Sequence, residues 1–538
     1  MDDGMFHQLL TPVGDSLPLS FLVAAIPVIV VLLMLGLLRR PAWQAAIAGL
    51  VSGLLIAVTV WQMPTGMALN ATASGAVFAL WPIMWIVFAA LILYNIALLS
   101  GRFDAFRRWV LASLPNDKRI VLIVIGFGFG SLLEGVSGFG APVAITASLL
   151  ILLGFKSIDA VVYALMFNTA PVAFGSLGIP ITTLAGVTGL PAPVLGSMVG
   201  RQLPLFAFIL PFYVMAMYGG WKSVREVFPA LLVAGSAFAI GQFAASNYTY
   251  ELTDVISAGS ALVATVLFLK VWKPAYSAEH ALVVPKDDPN DIHANVPLWQ
   301  GWLPWLIMCA VVLVWTHFAF AAMGAQPIQW PGLHNKVFIT LYEKPYAAIW
   351  NFQPLATGTA ILVTAIITAL AVGLSIANFF TAVGTAFKQI LLPSVTVTAI
   401  VGLAFLMNYS GLTYTLGLGV ASAGVLFPLL SAFLGWLAVF LSGSDSSGNA
   451  LFGNLQVVAA NKLGFDPVLM AATNSSGGVF AKMISPQNIA TGVAVSDLKG
   501  QESSIFRRTF IHSIAFTVLL GILVFLQQHY WSWMIPPH

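Results

Sequence analysis

The chain has 538 residues, 59% of them hydrophobic and only 8% charged, with a formal net charge of +3. A soluble protein of this size carries about 25% charged residues, so a water-soluble enzyme and a nucleic-acid binder are excluded and a polytopic membrane protein is indicated. The single cysteine, Cys309, lies in an apolar run and leaves no intrachain disulfide.

Residues 1–18 carry Asp2, Asp3 and Asp15 and no Lys or Arg. A secretory signal begins with a positive segment, so the first apolar run reads as a retained helix. Apolar runs of spanning length are expected at 19–38, 43–61 and 74–98. Arg39 and Arg40 sit in the first loop, and Arg102, Arg107, Arg108, Lys118 and Arg119 in the third. By the positive-inside rule both loops are cytoplasmic and the N-terminus is outside. Residues 120–153 read as a re-entrant hairpin with Glu134 to Pro142 at its tip. An outward span at 158–190 follows, interrupted at Asn168-Thr169-Ala170-Pro171 and at Gly175 to Pro180. Spans at 203–219, 228–248 and 255–271 come next, with Asn247 to Asp254 placed in an external loop.

The polar segment 274–300 reads as a cytoplasmic linker between an N-terminal half, 1–273, and a C-terminal half, 301–538. The second half is expected to span at 302–322, 355–376 and 391–408, with an external aromatic-rich loop between the first two. Residues 421–460, broken at Ser442 to Asn449, read as a second re-entrant hairpin. An inward span at 466–495 is broken at Asn474-Ser475-Ser476-Gly477-Gly478 and at Ser485-Pro486-Gln487-Asn488, and a last span covers 509–529. The expected fold is all-α, with about twelve transmembrane helices, two re-entrant hairpins and both termini outside.

The two halves echo one another. Asn168 and Pro180 stand as far apart as Asn474 and Pro486, and Phe174 matches Phe480 in the same register. Each block follows an acid in a Gly/Ser-rich break, Glu134 in one half and Asp445 in the other. An odd number of crossings before the linker makes this an inverted repeat. Gly/Pro-interrupted segments at matching positions are the best sequence pointer to a transporter's site. A carboxylate amid that much hydrocarbon costs several kcal/mol if unpaired, so Glu134 and Asp445 are candidates to carry a coupling proton. Lys482, inside an apolar run, suits either a substrate carboxylate or one of those acids. Ser137, Gly138, Asn168, Thr169, Ser446, Ser447, Asn449, Asn474, Ser475 and Gln487, with Asp445, offer donors and acceptors to a small polar solute, or cap the helix breaks. Asn488 belongs to the same chemistry. His317, His512 and Cys309 read as packing residues. No metal cluster, phosphate loop or paired catalytic constellation is present, so no cofactor is expected and the chain reads as a secondary carrier or channel rather than a pump or enzyme.

Four strings carry a specific likeness: Leu133-Glu134-Gly135-Val136-Ser137-Gly138-Phe139-Gly140-Ala141-Pro142, Asn168-Thr169-Ala170-Pro171-Val172-Ala173-Phe174-Gly175, Gly200-Arg201-Gln202-Leu203-Pro204 and Gly443-Ser444-Asp445-Ser446-Ser447-Gly448-Asn449-Ala450-Leu451-Phe452-Gly453. With Met483-Ile484-Ser485-Pro486-Gln487 they resemble the L-lactate permease family, nearly end to end. The resemblance implies a bacterial inner-membrane symporter that moves L-lactate and related 2-hydroxymonocarboxylates, such as glycolate and D-lactate, with protons. It also implies kinship with the ion-transporter superfamily of hairpins and broken helices. Val136-Ser137 stands where similar proteins often have two alanines, so finer substrate preference is not carried over. The alternative from the residues alone is a sodium-coupled carrier of another small carboxylate, since Ser/Asn/Gly-rich breaks also suit Na⁺.

Overall fold

The structure is a computed structural model and describes residues 4–36, 38, 40–136, 141–282, 295–494, 496–498 and 501–538. Among the described residues, seven helices are long and apolar enough to cross a membrane, or nine if each of two bent pairs is one span. Thr65–Leu99, Ala192–Glu226, Phe228–Ser246, Thr253–Val271 and Glu502–His529 contain or overlap expected spans. Shorter apolar helices, Leu17–Val31, Trp43–Thr59, Leu298–Val312 and Thr357–Ala371, take up four other expected spans. The bent pair Ser157–Phe167 with Val172–Thr188 turns through 61°.

The first hairpin rises through Lys118–Val136 and descends through Ala141–Leu152. Its two ends meet, because the Lys118 ammonium donates to the Gly154 carbonyl at 2.7 Å. The second hairpin pairs Phe427–Ser442 with Asp445–Leu463. Gly443, at φ 69°, closes the first arm in the left-handed conformation, and the Ser444 side chain caps the second by accepting from the Ser447 amide. Each hairpin is followed by a broken helix. In the first half, Ser157–Phe167 gives way to an irregular stretch and then to Gly175–Thr188, with Ser176, Leu177 and Gly178 all left-handed. In the second, Pro467–Ala481 passes through Lys482–Ile484 to Pro486–Ala494. Asn474 to Gly478 do not break the helix as the sequence suggested. Pro467–Ala481 runs straight through them, and their small side chains serve close packing instead: a Cβ on Gly477 would lie 2.1 Å from the Ala432 carbonyl oxygen.

Elements from early and late in the chain interlock. Gly175–Thr188 packs on the second hairpin's arm Asp445–Leu463, and Pro486–Ala494 packs on the first hairpin's arm Ala141–Leu152. The segment Leu298–Trp302 docks on Arg102–Ala112, where Gly301 lies against the Phe106 backbone and Gln300 accepts from Arg102 at 2.8 Å.

The loop between Leu303–His317 and Thr357–Ala371 forms small sheets. Gln326–Gln329 pairs antiparallel with Ile349–Phe352, and Val337–Ile339 pairs with both Lys344–Pro345 and the N-terminal strand Phe6–His7. Arg201, which donates to the Met534 carbonyl, lies just before Leu203–Glu226. At the other end of that helix, Lys222 joins Lys118, Lys156, Asp159 and His280 around one cleft, and Arg508 pairs with Asp159 at 2.6 Å. The basic cluster therefore lies on one face and both chain ends belong with the other. By the positive-inside rule the basic face is cytoplasmic. A periplasm-active reporter fused after His538 should give full activity and a cytoplasm-active reporter none; the reverse result contradicts this orientation.

Candidate functional site

Two carboxylates and one lysine converge where the hairpins meet the broken helices. Glu134 ends the rising arm of the first hairpin, Asp445 begins the second arm of the other, and Lys482 lies at the second break; their residues are 2%, 3% and 5% exposed. The Lys482 ammonium donates to Glu134 Oε1 at 2.5 Å, and the Asn168 amide donates to Glu134 Oε2 at 2.9 Å. Gly175 packs closely here: a Cβ would lie 3.0 Å from Glu134 Oε1 and would press the carboxylate aside by a few tenths of an ångström.

Asp445 has a different, uncharged shell. The Ser475 hydroxyl donates to its Oδ2 at 2.5 Å and Asn449 to the same oxygen at 3.4 Å. Its Oδ1 is buried with no hydrogen-bond partner among the described residues, and it faces Gly478, where a Cβ would lie 2.3 Å away. Behind it runs a chain of amides. Asn449 donates to the Pro180 carbonyl at 3.1 Å, Asn474 donates to Asn449 Oδ1 at 3.0 Å, and Gln456 donates to Asn474 Oδ1 at 3.2 Å. The Asn449–Pro180 bond joins the second hairpin to the first broken helix. Asn488 donates to the carbonyls of Gly443 and Lys482, both at 3.2 Å, and so ties the second hairpin's turn to the second break.

A cavity of about 40 Å³ lies among Glu134, Ser176, Asp445, Ser446, Lys482 and Asn488. It has room for a few waters rather than a three-carbon hydroxy acid, so it must widen to admit such a solute.

The structure thus brings Glu134, Asn168 and Lys482 into one bonded group and Asp445, Asn449, Asn474 and Ser475 into a second, with Ser446 on the wall of the cavity that both groups border. Thr169 does not join it: its hydroxyl donates to the Met166 carbonyl, and the residue lines a separate apolar space with Phe206, Phe480 and Phe516. Ser447 is buried, and its amide binds the cap Ser444. Ser137 and Gly138 lie outside the described residues. Gln487 lies in Pro486–Ala494, and its side chain is likewise outside what is described.

Three contributors were not singled out from the sequence. Ser176 lines the cavity from within the expected break. Gln456 sits in a run that reads as apolar. Asp254, expected in an external loop, instead occupies the first turn of Thr253–Val271 and is fully buried. Its signal was a carboxylate just ahead of a spanning run.

A small cavity between hairpins and broken helices, lined by two acids and a lysine, is the arrangement of a membrane carrier's site. The family model for L-lactate permease matches residues 20–531. The chain belongs to the L-lactate permease family. It is 42% identical to the glycolate permease GlcA of Escherichia coli (strain K12), over 98% of this chain and 99% of that protein. It is 40% identical to the L-lactate permease of Bacillus subtilis (strain 168), again over 98% and 99%, and 39% identical to the L-lactate permease of Escherichia coli (strain K12), over 99% and 100%. This member of the L-lactate permease family is a multi-pass protein of the bacterial inner membrane, and a transporter rather than an enzyme.

Proposed function

We propose that this protein carries L-lactate and related 2-hydroxymonocarboxylates, glycolate and D-lactate among them, into the cell together with protons. The observation that carries the reading is the Lys482–Glu134 ion pair at the wall of the cavity. An anionic substrate entering there competes with Glu134 for the lysine's charge. Displacing Glu134 as a bare carboxylate would leave it buried and unpaired, at a cost of several kcal/mol. A proton on Glu134 removes that cost and releases Lys482 to the substrate, so anion and proton enter as a neutral set. Lactate is ionised at neutral pH and the interior-negative potential opposes its entry. One co-transported proton cancels that electrical cost and adds the pH gradient.

In this reading Glu134 holds the coupling proton, and Asn168 keeps its carboxyl aimed at Lys482. Ser446, with Asn488 and Ser176, faces the substrate's hydroxyl. Asp445, positioned by Ser475 and Asn449, is the acid nearest the substrate and a second proton-accepting group. Asn474 holds Asn449 in place, and Gln487, Thr169, Ser447, Ser137 and Gly138 complete the surrounding segments. The names of the relatives, lactate and glycolate permeases, support the substrate class.

The test is uptake of radiolabelled L-lactate into proteoliposomes, with the pH gradient, the sodium gradient and the membrane potential imposed one at a time. Accumulation on the pH gradient alone is expected; accumulation only on a sodium gradient would favour the sodium-coupled alternative. Since protonation frees Lys482, lactate affinity should rise as pH falls. Glu134→Gln mimics the protonated acid. It should lose pH-gradient-driven accumulation and the pH dependence of lactate affinity while retaining lactate counterflow. A Glu134→Gln protein that concentrates lactate at the unaltered rate removes Glu134 from the coupling role.

A further inference from the structure

A third acid stands beside the site without a role in it. Asp254 is 0% exposed, and neither carboxylate oxygen has a hydrogen-bond partner among the described residues. It is pressed against the residue that follows Glu134: a Cβ on Gly135 would lie 2.7 Å from the Asp254 Cβ. The charges of Glu134 and Lys482 both act on it. The other elements packed on Thr253–Val271 are Phe228–Ser246, Leu122–Phe129 and Gly175–Thr188, and none carries a charged side chain. One ammonium and three buried acids, Glu134, Asp445 and Asp254, therefore share this region, and the lysine is already taken by Glu134.

The ledger of charge decides the state of Asp254. A bare carboxylate with no partner in an apolar bundle is strongly disfavoured, whereas its neutral acid needs no counter-ion. Protonated, Asp254 adds no charge to the Glu134–Lys482 pair, whose own charges cancel. The group's place in the first helical turn, where the helix dipole favours negative charge, keeps the ionised form within reach as a transient.

Asp254 itself is fully buried, but the chain just before it reaches a large outer cavity. The segment just before it carries Tyr250, which hydrogen-bonds Thr182 at 3.3 Å and lines an outer vestibule of about 1040 Å³ beneath the small sheets. Between Tyr250 and Asp254, Glu251 accepts from Thr249 at 2.7 Å. Tyr250 and Glu251 thus stand between the vestibule and Asp254 along the chain.

We propose that Asp254 is the proton relay that charges and discharges Glu134. The inference rests on the proton-coupled reading above. In the inward direction the Asp254 O–H bond breaks as an O–H bond forms on Glu134, and Asp254 regains a proton from the vestibule side. The net result is one proton moved to Glu134 and none gained by Asp254. Asp254 is a positioning and transfer group, not a substrate ligand. It sets the rate at which Glu134 is protonated, while Glu134 sets how lactate affinity depends on pH.

Asp254→Asn keeps the shape and neutrality of the protonated acid and cannot pass a proton. In proteoliposomes it should slow pH-gradient-driven lactate uptake by about tenfold or more, the scale of losing one positioned proton-transfer group. Equilibrium lactate binding to the purified variant should keep the pH dependence of the unaltered protein, which Glu134→Gln loses. Asp254→Glu should restore part of the uptake rate. An Asp254→Asn protein that takes up lactate at the unaltered rate overturns the relay. So does one whose lactate binding, or its pH dependence, is lost, since Asp254 would then belong to the binding site or the fold. If the unaltered protein itself binds lactate with no dependence on pH, the coupling reading fails first and the relay falls with it.

Discussion

Lys482→Met is expected to abolish lactate transport and to destabilise the protein by about 3–5 kcal/mol, the penalty of leaving one partner of a buried ion pair uncompensated. Lys482 and Glu134 are both almost wholly excluded from water and sit 2.5 Å apart. Asn168 alone cannot balance the charge that the variant leaves on Glu134. Adding Glu134→Gln removes that charge, so the double variant should regain most of the stability lost, by thermal unfolding in detergent. It should not regain transport, because no cation remains to receive the substrate carboxylate. Two outcomes would argue against this account: a Lys482→Met protein that still binds lactate, or a double variant no more stable than Lys482→Met. The first would show that the lysine is structural only, the second that the pair contributes little.

The second large effect is steric. Gly435→Ala should cost about 1–3 kcal/mol or more, as overpacking a tight helix contact does, and should cut transport with it. A Cβ at Gly435 would fall 1.9 Å from the Asn474 carbonyl oxygen, a backbone atom that cannot swing aside. The helix Pro467–Ala481 must then move away from Phe427–Ser442, carrying with it Asn474 and Ser475, which hold Asn449 and Asp445. Gly384→Ala is the control. Nothing lies within 4 Å of a Cβ there, and it sits inside the helix Ile376–Ser410, so alanine should be neutral or slightly stabilising by helix propensity. Equal stability of the two variants would contradict the packing argument.

Much of the site was legible because carboxylates within apolar runs are conspicuous. Glu134 and Asp445, the glycines around them and the matching Asn/Pro spacing all stand out in the sequence. What could not be read was pairing. Lys482 suited either a substrate or an acid, and only the fold brings it to Glu134 across 348 residues of chain. Asp254 was hidden by its neighbours: the polar stretch before it reads as a loop, although the chain folds back into the protein there. The small residues Asn474 to Gly478 misled in the other direction. Small polar side chains weaken an isolated helix, but in a packed bundle they let two backbones approach, and the helix persists. Span bounds shifted both ways for a related reason: 302–322 shortens to Leu298–Val312 while 74–98 lengthens to Thr65–Leu99, since hydropathy marks where a chain is apolar and not where its helix starts or stops.

The N-terminal strand has a consequence for how the protein is made. Phe6–His7 pairs with Val337–Ile339, and Gln8 donates to the carbonyls of Asn408 and Tyr409, the first of them 400 residues further on. During synthesis that strand leaves the ribosome first and its partners emerge only after most of the bundle has been inserted. Until then the start of the chain has nothing to pair with. The outer cap therefore closes late in biogenesis, and its closure records that both halves have reached their places.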